Sequence, residues 1–299
     1  MSRSVALVTC RALPDGDPDD VGLPAALAAH GMASGWEIWD DPDVDWAAFD
    51  RVLIRSPWDY PDRRDAFIAW ARSVPRLSNP ADVLDWNTDK RYLADLALAG
   101  LPVVPTAFVA PGDDIDERAL DGEMVVKPAV SAGARGTGRV SDPGAARAHI
   151  AALHAEGAIA MVQPYVPSVD DEGETGLVYL GGTFSHAFRK APILTAQGVA
   201  PMADPVGGLP AAEAMFAQET ITARDADTAY RATADWVLLY VRERFGPLTY
   251  ARIDLVAGPD GTPLLMEAEL TEPSLYLWLG AGASDRLARA VAADLTAER

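Results

Sequence analysis

The residues with the clearest chemical potential lie in the segment VVKPAVSAGARGTG, residues 125–138. Lys127 ends an apolar run, and the glycines Gly133, Gly136 and Gly138 follow within a short loop. Backbone N–H groups of a glycine-rich loop can approach an anion closely and a lysine adds a point charge, so the segment indicates phosphate binding. In a P-loop the lysine follows the glycines, whereas here it precedes them. A surface hairpin with a glycine-rich turn is the alternative interpretation.

A second group of reactive side chains lies near the carboxyl end of the chain. The segments LTYARIDLVAG (248–258) and TPLLMEAEL (262–270) predict a hairpin. Period-two geometry puts Glu267 and Glu269 on one face of their strand, and Asp254 can lie opposite them. Carboxylates without histidine or cysteine favour magnesium, with manganese as the alternative ion, shared with nucleotide phosphates. A solvated polar face is the alternative interpretation of this hairpin.

Lysine is rare in this chain. Of the 25 basic residues all are arginine except Lys90, Lys127 and Lys190. Since arginine is used wherever a general positive charge suffices, the three lysines indicate positions that need a compact ammonium group. Chance retention on the surface is the alternative for each of them.

The composition disfavours several classes of partner. The 299 residues carry 44 acidic and 25 basic side chains, and the formal net charge of −19 opposes binding to nucleic acid or to an anionic membrane. A small-molecule partner is therefore expected. Cys10 is the only cysteine, so we expect a buried thiol, no intrachain disulfide and a cytoplasmic location. The N-terminal apolar run is too short for a signal peptide, and no apolar stretch reaches membrane-spanning length.

Alternating strand and helix patterns are expected to position these groups. Near the N-terminus the expected strands are 5–9, 36–39 and 51–56, and the expected helices are 23–30 and 62–74. This alternation predicts an open parallel sheet with functional groups at the carboxyl ends of its strands. We place a domain boundary near residues 81–86, before a helix over 88–99 that Thr88 caps and Gly100 ends.

Beyond that helix the pattern changes to antiparallel hairpins between longer helices. The expected elements are strands at 124–127 and 159–163, a hairpin over 177–188 turned at Gly181 and Gly182, and helices at 143–156, 225–245 and 284–298. The chain should therefore combine an α/β unit with α+β units. His186, on the first hairpin, is expected to be a surface residue and not a base.

The order of these motifs resembles the ATP-grasp superfamily, in which two α+β subdomains hold ATP between them. The matching elements are DK at 89–90, VVKP with its glycine loop, MVQPYV at 161–166, RID at 252–254 and ExE at 267–269. The resemblance covers nearly the whole chain. It implies an N-terminal α/β domain with a small parallel sheet over 1–85, a central subdomain with the glycine-rich lid over 86–165, and a C-terminal subdomain with the metal site over 166–299.

The resemblance also implies a role for individual residues. Asp254, Glu267 and Glu269 would hold the metal, although many members have asparagine at the last of these positions. The implied ATP contacts are Lys90, Lys127 and Lys190 for the phosphates, Ser131, Gly133, Gly136 and Gly138 for the lid, Gln163, Tyr165 and Val166 for the adenine, and Glu174, with Asp170 as its rival, for the ribose.

ATP-grasp enzymes typically form an acyl phosphate, which a nucleophile then attacks with loss of phosphate. Arg252 and Lys190 are the expected catalytic residues; Arg252 would stabilise the oxyanion, and a structural partnership with Asp254 is the alternative. Ser274 in the phrase ELTEPSLY would hold a carboxylate, as the equivalent loop does in D-alanine–D-alanine ligases. An amino-acid-like substrate is expected to contact the first domain, where packing aromatics are the alternative for the loop RSPWDY. The expected contacts are Thr9, Arg55, Ser56, Trp58, Asp59 and Tyr60.

Four phrases resemble a narrower branch of the superfamily, the cyclo-ligases that make D-cycloserine from O-ureido-D-serine in antibiotic biosynthesis. They are RSPWDYPDRRDAF, WNTDKRYLADL, KPAVSAGARGTGR and ELTEPSLY. The resemblance implies that ATP activates the carboxylate, that the nitrogen bonded to oxygen closes the ring, and that ADP, phosphate, carbon dioxide and ammonia are released. An intermolecular carboxylate–amine ligase and a non-catalytic nucleotide-binding module are the alternatives. A homodimer is expected because twofold dimers are the commonest oligomers.

Overall fold

Three β-sheets organise the protein. The computed structural model describes residues 3–133, 135–194, 198–199 and 220–297. One sheet has three strands and two have five, and helices pack against them, so the predicted combination of α/β and α+β units is confirmed. None of the helices in these ranges has both the length and the apolar character that a membrane span requires. The domain boundaries expected after residues 85 and 165 stay predictions.

The first sheet is parallel, as its sequence predicts. Its strands are β1 (Arg3–Thr9), β2 (Met32–Ile38) and β3 (Arg51–Ser56), in the order β2-β1-β3. Helix α1 (Leu23–Ala29) packs with Leu7 and Leu53, whereas helix α2 (Arg64–Ser73) packs with Val8 and Ile54. Successive strand residues thus face opposite layers, and both faces are covered. Short 3₁₀ helices lie at Pro18–Asp20, Trp46–Ala48, Tyr60–Arg63 and Glu117–Leu120.

The segment that follows the first sheet differs from its prediction. It forms two short helices, α3 (Ala81–Asn87) and α4 (Tyr92–Leu98), and not one helix over 88–99. Thr88 ends α3 by donating its N–H to Leu84 O at 2.9 Å, so it does not cap the next helix. The helical path is interrupted because Lys90 N bonds to Ala129 O at 2.8 Å, a long-range contact that no local pattern reveals.

The central sheet carries the glycine-rich loop. Hairpin strands β5 (Met124–Pro128) and β6 (Gly138–Val140) flank residues 129–137, and the predicted strands and helix of this region are confirmed. The sheet has the order β10-β6-β5-β7-β4. Its strands are β4 (Ala107–Val109), β5 (Met124–Pro128), β6 (Gly138–Val140), β7 (Ala160–Pro164) and β10 (Gly198–Val199), and its helix is α5 (Pro143–Ala155), capped by Asp142.

The third sheet contains both predicted hairpins in the order β11-β9-β8-β12-β13. Gly181 and Gly182, both at positive φ, form the turn of the first hairpin as predicted. The strands are β8 (Glu174–Leu180), β9 (Thr183–Lys190), β11 (Ile221–Ala223), β12 (Tyr250–Ala257) and β13 (Pro263–Glu269). The remaining helices are α6 (Ser168–Glu172), α7 (Thr228–Phe245) and α8 (Ala283–Ala297).

Side chains from outside the third sheet fix the position of β13. The Tyr92 hydroxyl accepts from Ala268 N at 2.8 Å and lies 3.0 Å from Ala268 O. The Asn87 amide donates to Ala268 O at 2.7 Å and accepts from Leu270 N at 2.9 Å. Asn79 donates to Leu270 O at 2.7 Å. These bonds hold the register of β13, and a one-residue slip would move its acidic side chains to the opposite face.

Candidate active site

One cleft between the central and third sheets collects most of the predicted site residues. Its volume, counted out to the solvent at its mouth, is about 1590 Å³. The loop after β3 supplies part of its wall. The predicted residues that line it are Trp58, Tyr60, Lys90, Lys127, Ser131, Gly133, Gln163, Tyr165, Val166, Glu174, Lys190, Arg252, Asp254, Glu267, Glu269 and Ser274.

The β12–β13 hairpin places the three carboxylates as its sequence predicts. Asp254 lies directly opposite Glu267, and Arg252 lies opposite Glu269. Because each pair of positions on a strand is two residues apart, all four side chains share one face. The register shifts after Asp254, so the strand is irregular where it leaves the cleft.

Arg252 lies at the centre of this acidic face. Its Nε donates to Asp254 Oδ1 at 3.0 Å and its Nη2 to Asp254 Oδ2 at 2.8 Å, while Nη2 also contacts Glu269. Its Nη1 donates to Ser274 O at 3.0 Å. Burial alone would lower the pKa of Arg252, but Asp254 and Glu269 hold it well above its ordinary value. Burial raises the pKa of Glu269 to about 8 although Arg252 opposes the shift.

Two lysines compensate the charge of Glu267. Lys90 Nζ lies 3.1 Å from Glu267 Oε1 and donates to Ser131 O at 2.8 Å, so it joins β13 to the base of the glycine loop. Burial would raise the pKa of Glu267, but Lys90 and Lys127 together hold it below its ordinary value. Burial lowers the pKa of Lys127, and Glu267 opposes that shift. Two lysines, Lys90 and Lys127, thus act on the single carboxylate of Glu267.

The two candidates for the ribose contact lie in different environments. Glu174 lines the cleft and stands opposite Lys190 in the β8–β9 register. Burial raises the pKa of Glu174, and Lys190 opposes the shift. Asp170 instead binds Arg139 at 2.8 Å and the Tyr165 hydroxyl at 2.5 Å, and it is not among the residues that line the cleft. This placement favours Glu174.

The predicted lid and hinge residues differ in how they meet the cleft. Gly133 and Gly136 have φ values of 62° and 66°, which favour glycine. Gly136 and Gly138 do not line the cleft; Gly138 belongs to β6 and pairs with Val126. The Gln163 side-chain amide donates to Thr106 Oγ1 at 2.9 Å, so this N–H group is bonded within the protein.

Four residues predicted to contact the substrate are not among those that line the cleft. Thr9 Oγ1 bonds to Leu13 O at 2.6 Å and to Ser56 Oγ at 2.9 Å. Asp59 accepts from Trp39 Nε1 at 2.8 Å and from Arg63. Arg55 is buried, and its Nε donates to Asp20 Oδ2 at 2.9 Å. These side chains are engaged by other groups of the protein, Arg55 by Asp20 and by Pro273 O, so their placement does not support the predicted substrate contacts of Thr9, Arg55, Ser56 and Asp59.

Two further side chains can be compared with their predictions. His186 is buried, and its Nε2 lies 2.9 Å from Leu275 O, so the expectation of a surface residue is wrong. It ties the first hairpin to the segment that follows β13. Cys10 is a buried free thiol, as predicted, and burial raises its pKa.

Several residues near the cleft were missed. Glu272 and Tyr276 line it and belong to the same phrase, ELTEPSLY, that drew attention to Ser274. Asp17 accepts from Ser274 Oγ at 3.2 Å, and Asp19 Oδ2 accepts from Tyr276 N at 2.5 Å. The only available signal was the acidic composition of PDGDPDD before α1, and that run gives no spatial information.

Asp19→Asn should remove a pH-dependent loss of stability. Burial, with Asp17 and Asp20 nearby, raises the pKa of Asp19 to about 7 from an ordinary value of 3.8. Between those values the folded chain binds more protons than the unfolded chain, so this carboxyl lowers the free energy of unfolding as pH rises. The variant should be more stable than the parent by about 1–2 kcal/mol at pH 8 and equal to it near pH 4.

Urea unfolding of both proteins from pH 4 to pH 8 measures this effect. The asparagine oxygen can still accept the Tyr276 N–H, so the fold should persist. Asp15→Asn, in the exposed part of the same segment, is the matched control and should show no pH-dependent gain. A constant difference between Asp19→Asn and the parent across this range would contradict the assignment.

Comparison with known proteins places this chain among characterised ligases. The family model described as "D-cycloserine synthetase DcsG, N-terminal domain" matches residues 5–79. The cycloserine biosynthesis protein DcsG of Streptomyces lavendulae is 38% identical over 93% of this chain and 95% of its own length.

Solved structures agree with this relationship. A crystal structure of D-cycloserine synthetase DcsG superposes with a TM-score of 0.85 at 36% identity, covering 98% of this chain and 100% of the other. D-alanine–D-alanine ligase from Bacillus anthracis complexed with ATP has a TM-score of 0.67 at 13% identity, covering 99% and 98% of the two chains, and shares the fold. The chain therefore belongs to the D-cycloserine synthetase DcsG family of ATP-grasp ligases, enzymes that form a carbon–nitrogen bond.

Proposed function

We propose that this chain uses ATP to convert O-ureido-D-serine into D-cycloserine, with release of ADP, phosphate, carbon dioxide and ammonia. The observation that carries the proposal is the convergence of Lys90, Lys127 and the β12–β13 carboxylates on one cleft. That set combines cations for a triphosphate with hard oxygen ligands for its metal. The family membership supplies the substrate class.

ATP would lie between the central and third sheets. Lys127 on β5 and Lys190 on β9 reach the cleft from opposite walls, and Lys90 lies beneath the glycine loop, so three ammonium groups surround the space for the phosphates. The backbone from Gln163 to Val166 would hold the adenine, and Glu174 the ribose hydroxyls. The lid would contribute backbone N–H groups from Ser131 to Gly133.

The donor set suits Mg²⁺ in part. Asp254, Glu267 and Glu269 offer only oxygen, and all three line the cleft on one strand face. Among the described residues no three His, Cys, Asp or Glu side chains gather closely enough to hold an ion by themselves. Arg252 contacts Asp254 and Glu269, and Lys90 contacts Glu267. Nucleotide phosphate oxygens would complete the ligand set. When bound, the ion would neutralise charge on the transferring phosphoryl group.

The protein would then hold the activated substrate for ring closure. Trp58, Tyr60 and Ser274 line the cleft, Ser274 O accepts from Arg252, and these three residues would enclose the folded substrate. Arg252 would stabilise the oxyanion as the nitrogen attacks the acyl carbon and phosphate leaves. Attack within one molecule gains a large proximity advantage, so the enzyme mainly supplies activation and shape. A water molecule balances the reaction by hydrolysing the carbamoyl group to carbon dioxide and ammonia.

Incubation with ATP, MgCl₂ and O-ureido-D-serine tests the proposal. Mass spectrometry should detect the ring product in an amount equal to the ADP formed. ADP without the ring product, with phosphate release stimulated by added amino acids, would instead support an intermolecular carboxylate–amine ligase. Nucleotide binding without ADP formation under any of these conditions would support a non-catalytic binding module.

A further inference from the structure

We propose that Glu272 is the general base that accepts the proton of the ring-closing nitrogen. This role rests on the proposed function, because it concerns ring closure, the step that follows activation of the carboxylate in the same cleft. It assigns the bond-forming step to a residue outside the metal and phosphate machinery.

Glu272 lies where the first domain meets the cleft. It follows β13 by three residues and lines the cleft together with Trp58 and Tyr60. Its carbonyl oxygen accepts from Trp58 Nε1 at 3.2 Å, which anchors the backbone. Tyr60 lines the same cleft and is buried, and a hydrogen bond from its hydroxyl lowers the pKa of the Glu272 carboxyl. Glu272 therefore lies, with its backbone anchored, beside the wall proposed to enclose the substrate.

Cations contact or face the other carboxylates of the cleft, whereas Lys90 and Arg252 act on Glu272 only from beyond ion-pair distance. Within the described parts of the chain no lysine or arginine forms an ion pair with Glu272, and its hydrogen-bond partner is a neutral phenol. A cation that contacts a carboxylate competes with an incoming proton for its oxygens, and this applies to Glu269 although burial raises its pKa. The ion-paired groups are Asp254 and Glu269 with Arg252 and Glu267 with Lys90, and Glu174 stands opposite Lys190 in the strand register.

The electrostatic environment of Glu272 supports the same role. Burial raises the pKa of Glu272 to about 7, and the Tyr60 hydrogen bond opposes the shift. A base with a pKa near the working pH is the most effective one, because it is both available and basic. The ionisable groups that act on it from the surrounding elements are Tyr60, Lys90, Tyr250, Arg252 and Glu267.

The step balances without a further reactant. The nitrogen bonded to oxygen attacks the acyl phosphate carbon, the new C–N bond forms, and the C–O bond to phosphate breaks with inorganic phosphate as the leaving group. The proton of that nitrogen passes to a Glu272 carboxylate oxygen and then to water, which restores the base. Lys90, Lys127 and Arg252 act on phosphate and oxyanion charge, and none of them accepts this proton.

Glu272→Gln separates the two half-reactions. Ring formation from O-ureido-D-serine should fall by about 10²–10³-fold, since a glutamine cannot accept the proton. Activation is measured separately with O-methyl-D-serine, which has no side-chain nitrogen, and with hydroxylamine as the external nucleophile. The variant should form the hydroxamate within about threefold of the parent rate. Parallel loss of both activities, or retention of ring formation, would overturn the assignment.

Tyr60→Phe provides a second test that keeps the buried ring and removes only its hydroxyl. Loss of that hydrogen bond should raise the pKa of Glu272, so the acidic limb of the ring-forming rate should move to higher pH. An unchanged limb would overturn the proposal even if Glu272→Gln failed to fold. Measurements on the parent enzyme separate this proposal from the proposed function. If the parent forms the hydroxamate but no ring product, the proposed cyclisation itself is refuted.

Discussion

Glu267→Gln should reduce ATP turnover on the order of 10³-fold while the fold is retained. Glu267 lies opposite Asp254 and 3.1 Å from Lys90. Glutamine has nearly the same shape, but it leaves Lys90 and Lys127 without their nearest anion and removes a hard oxygen ligand. The rate of ADP release, titrated with MgCl₂, measures the loss, and thermal unfolding checks that the fold persists.

The matched control lies in the turn of the same hairpin. Asp260 is exposed, and its Oδ1 accepts from Thr262 N at 3.0 Å, a bond that an asparagine oxygen can also accept. Asp260→Asn makes the same change in charge outside the cleft and should leave turnover unchanged. A Glu267→Gln enzyme that kept more than about a tenth of the parent activity would contradict the metal and phosphate role of this carboxylate.

Arg55→Met should lower the free energy of unfolding by about 3–5 kcal/mol. The Arg55 and Asp20 side chains are both 0% exposed, and Arg55 Nε lies 2.9 Å from Asp20 Oδ2. Arg55 Nη2 also donates to Pro273 O at 3.0 Å. Removing the guanidinium leaves a buried carboxylate without a counter-charge and releases the segment that contains Glu272. Urea unfolding at pH 7 measures the loss.

Two comparisons make this result specific. Arg72→Met removes an ion pair of 2.6 Å with Asp85 whose side chains are 56% and 36% exposed, so it should cost less than about 1 kcal/mol. Adding Asp20→Asn to Arg55→Met should recover part of the lost stability, and the double-mutant cycle gives the coupling. If the Arg55→Met protein were as stable as the parent but inactive, the result would support the substrate contact that the sequence predicts for Arg55.

Most elements of the fold follow from local patterns. The buried strands β1 and β3 are continuous apolar runs, and glycine pairs or Pro-Asp-Gly mark the hairpin turns, so the pairing of Asp254 with Glu267 can be predicted from strand periodicity. The helix expected over 88–99 could not be corrected from sequence, because the bond from Lys90 N to Ala129 O joins residues far apart in the chain.

The side-chain positions that the sequence could not predict have a related cause. Arg55 was placed correctly at the end of β3, but periodicity puts its side chain on the same face as Leu53, where Asp20 meets it. The sequence does not reveal which face of a parallel strand directs its side chains toward the cleft. Glu272 lies in an irregular segment after β13, where no repeat relates side-chain direction to position.

The fastening of β13 has a consequence for self-association. This strand is the edge strand of its sheet, yet its outward backbone groups are hydrogen-bonded. Val104 N donates to Leu265 O at 3.0 Å, and Leu265 N donates to Pro102 O at 2.7 Å. Tyr92 bonds to Ala268, and Asn87 accepts from Leu270 N. An edge strand with unpaired backbone N–H and C=O groups is the usual site at which another molecule adds a strand. Two copies of this protein therefore cannot merge their sheets across β13, and any twofold pair must bury a different surface.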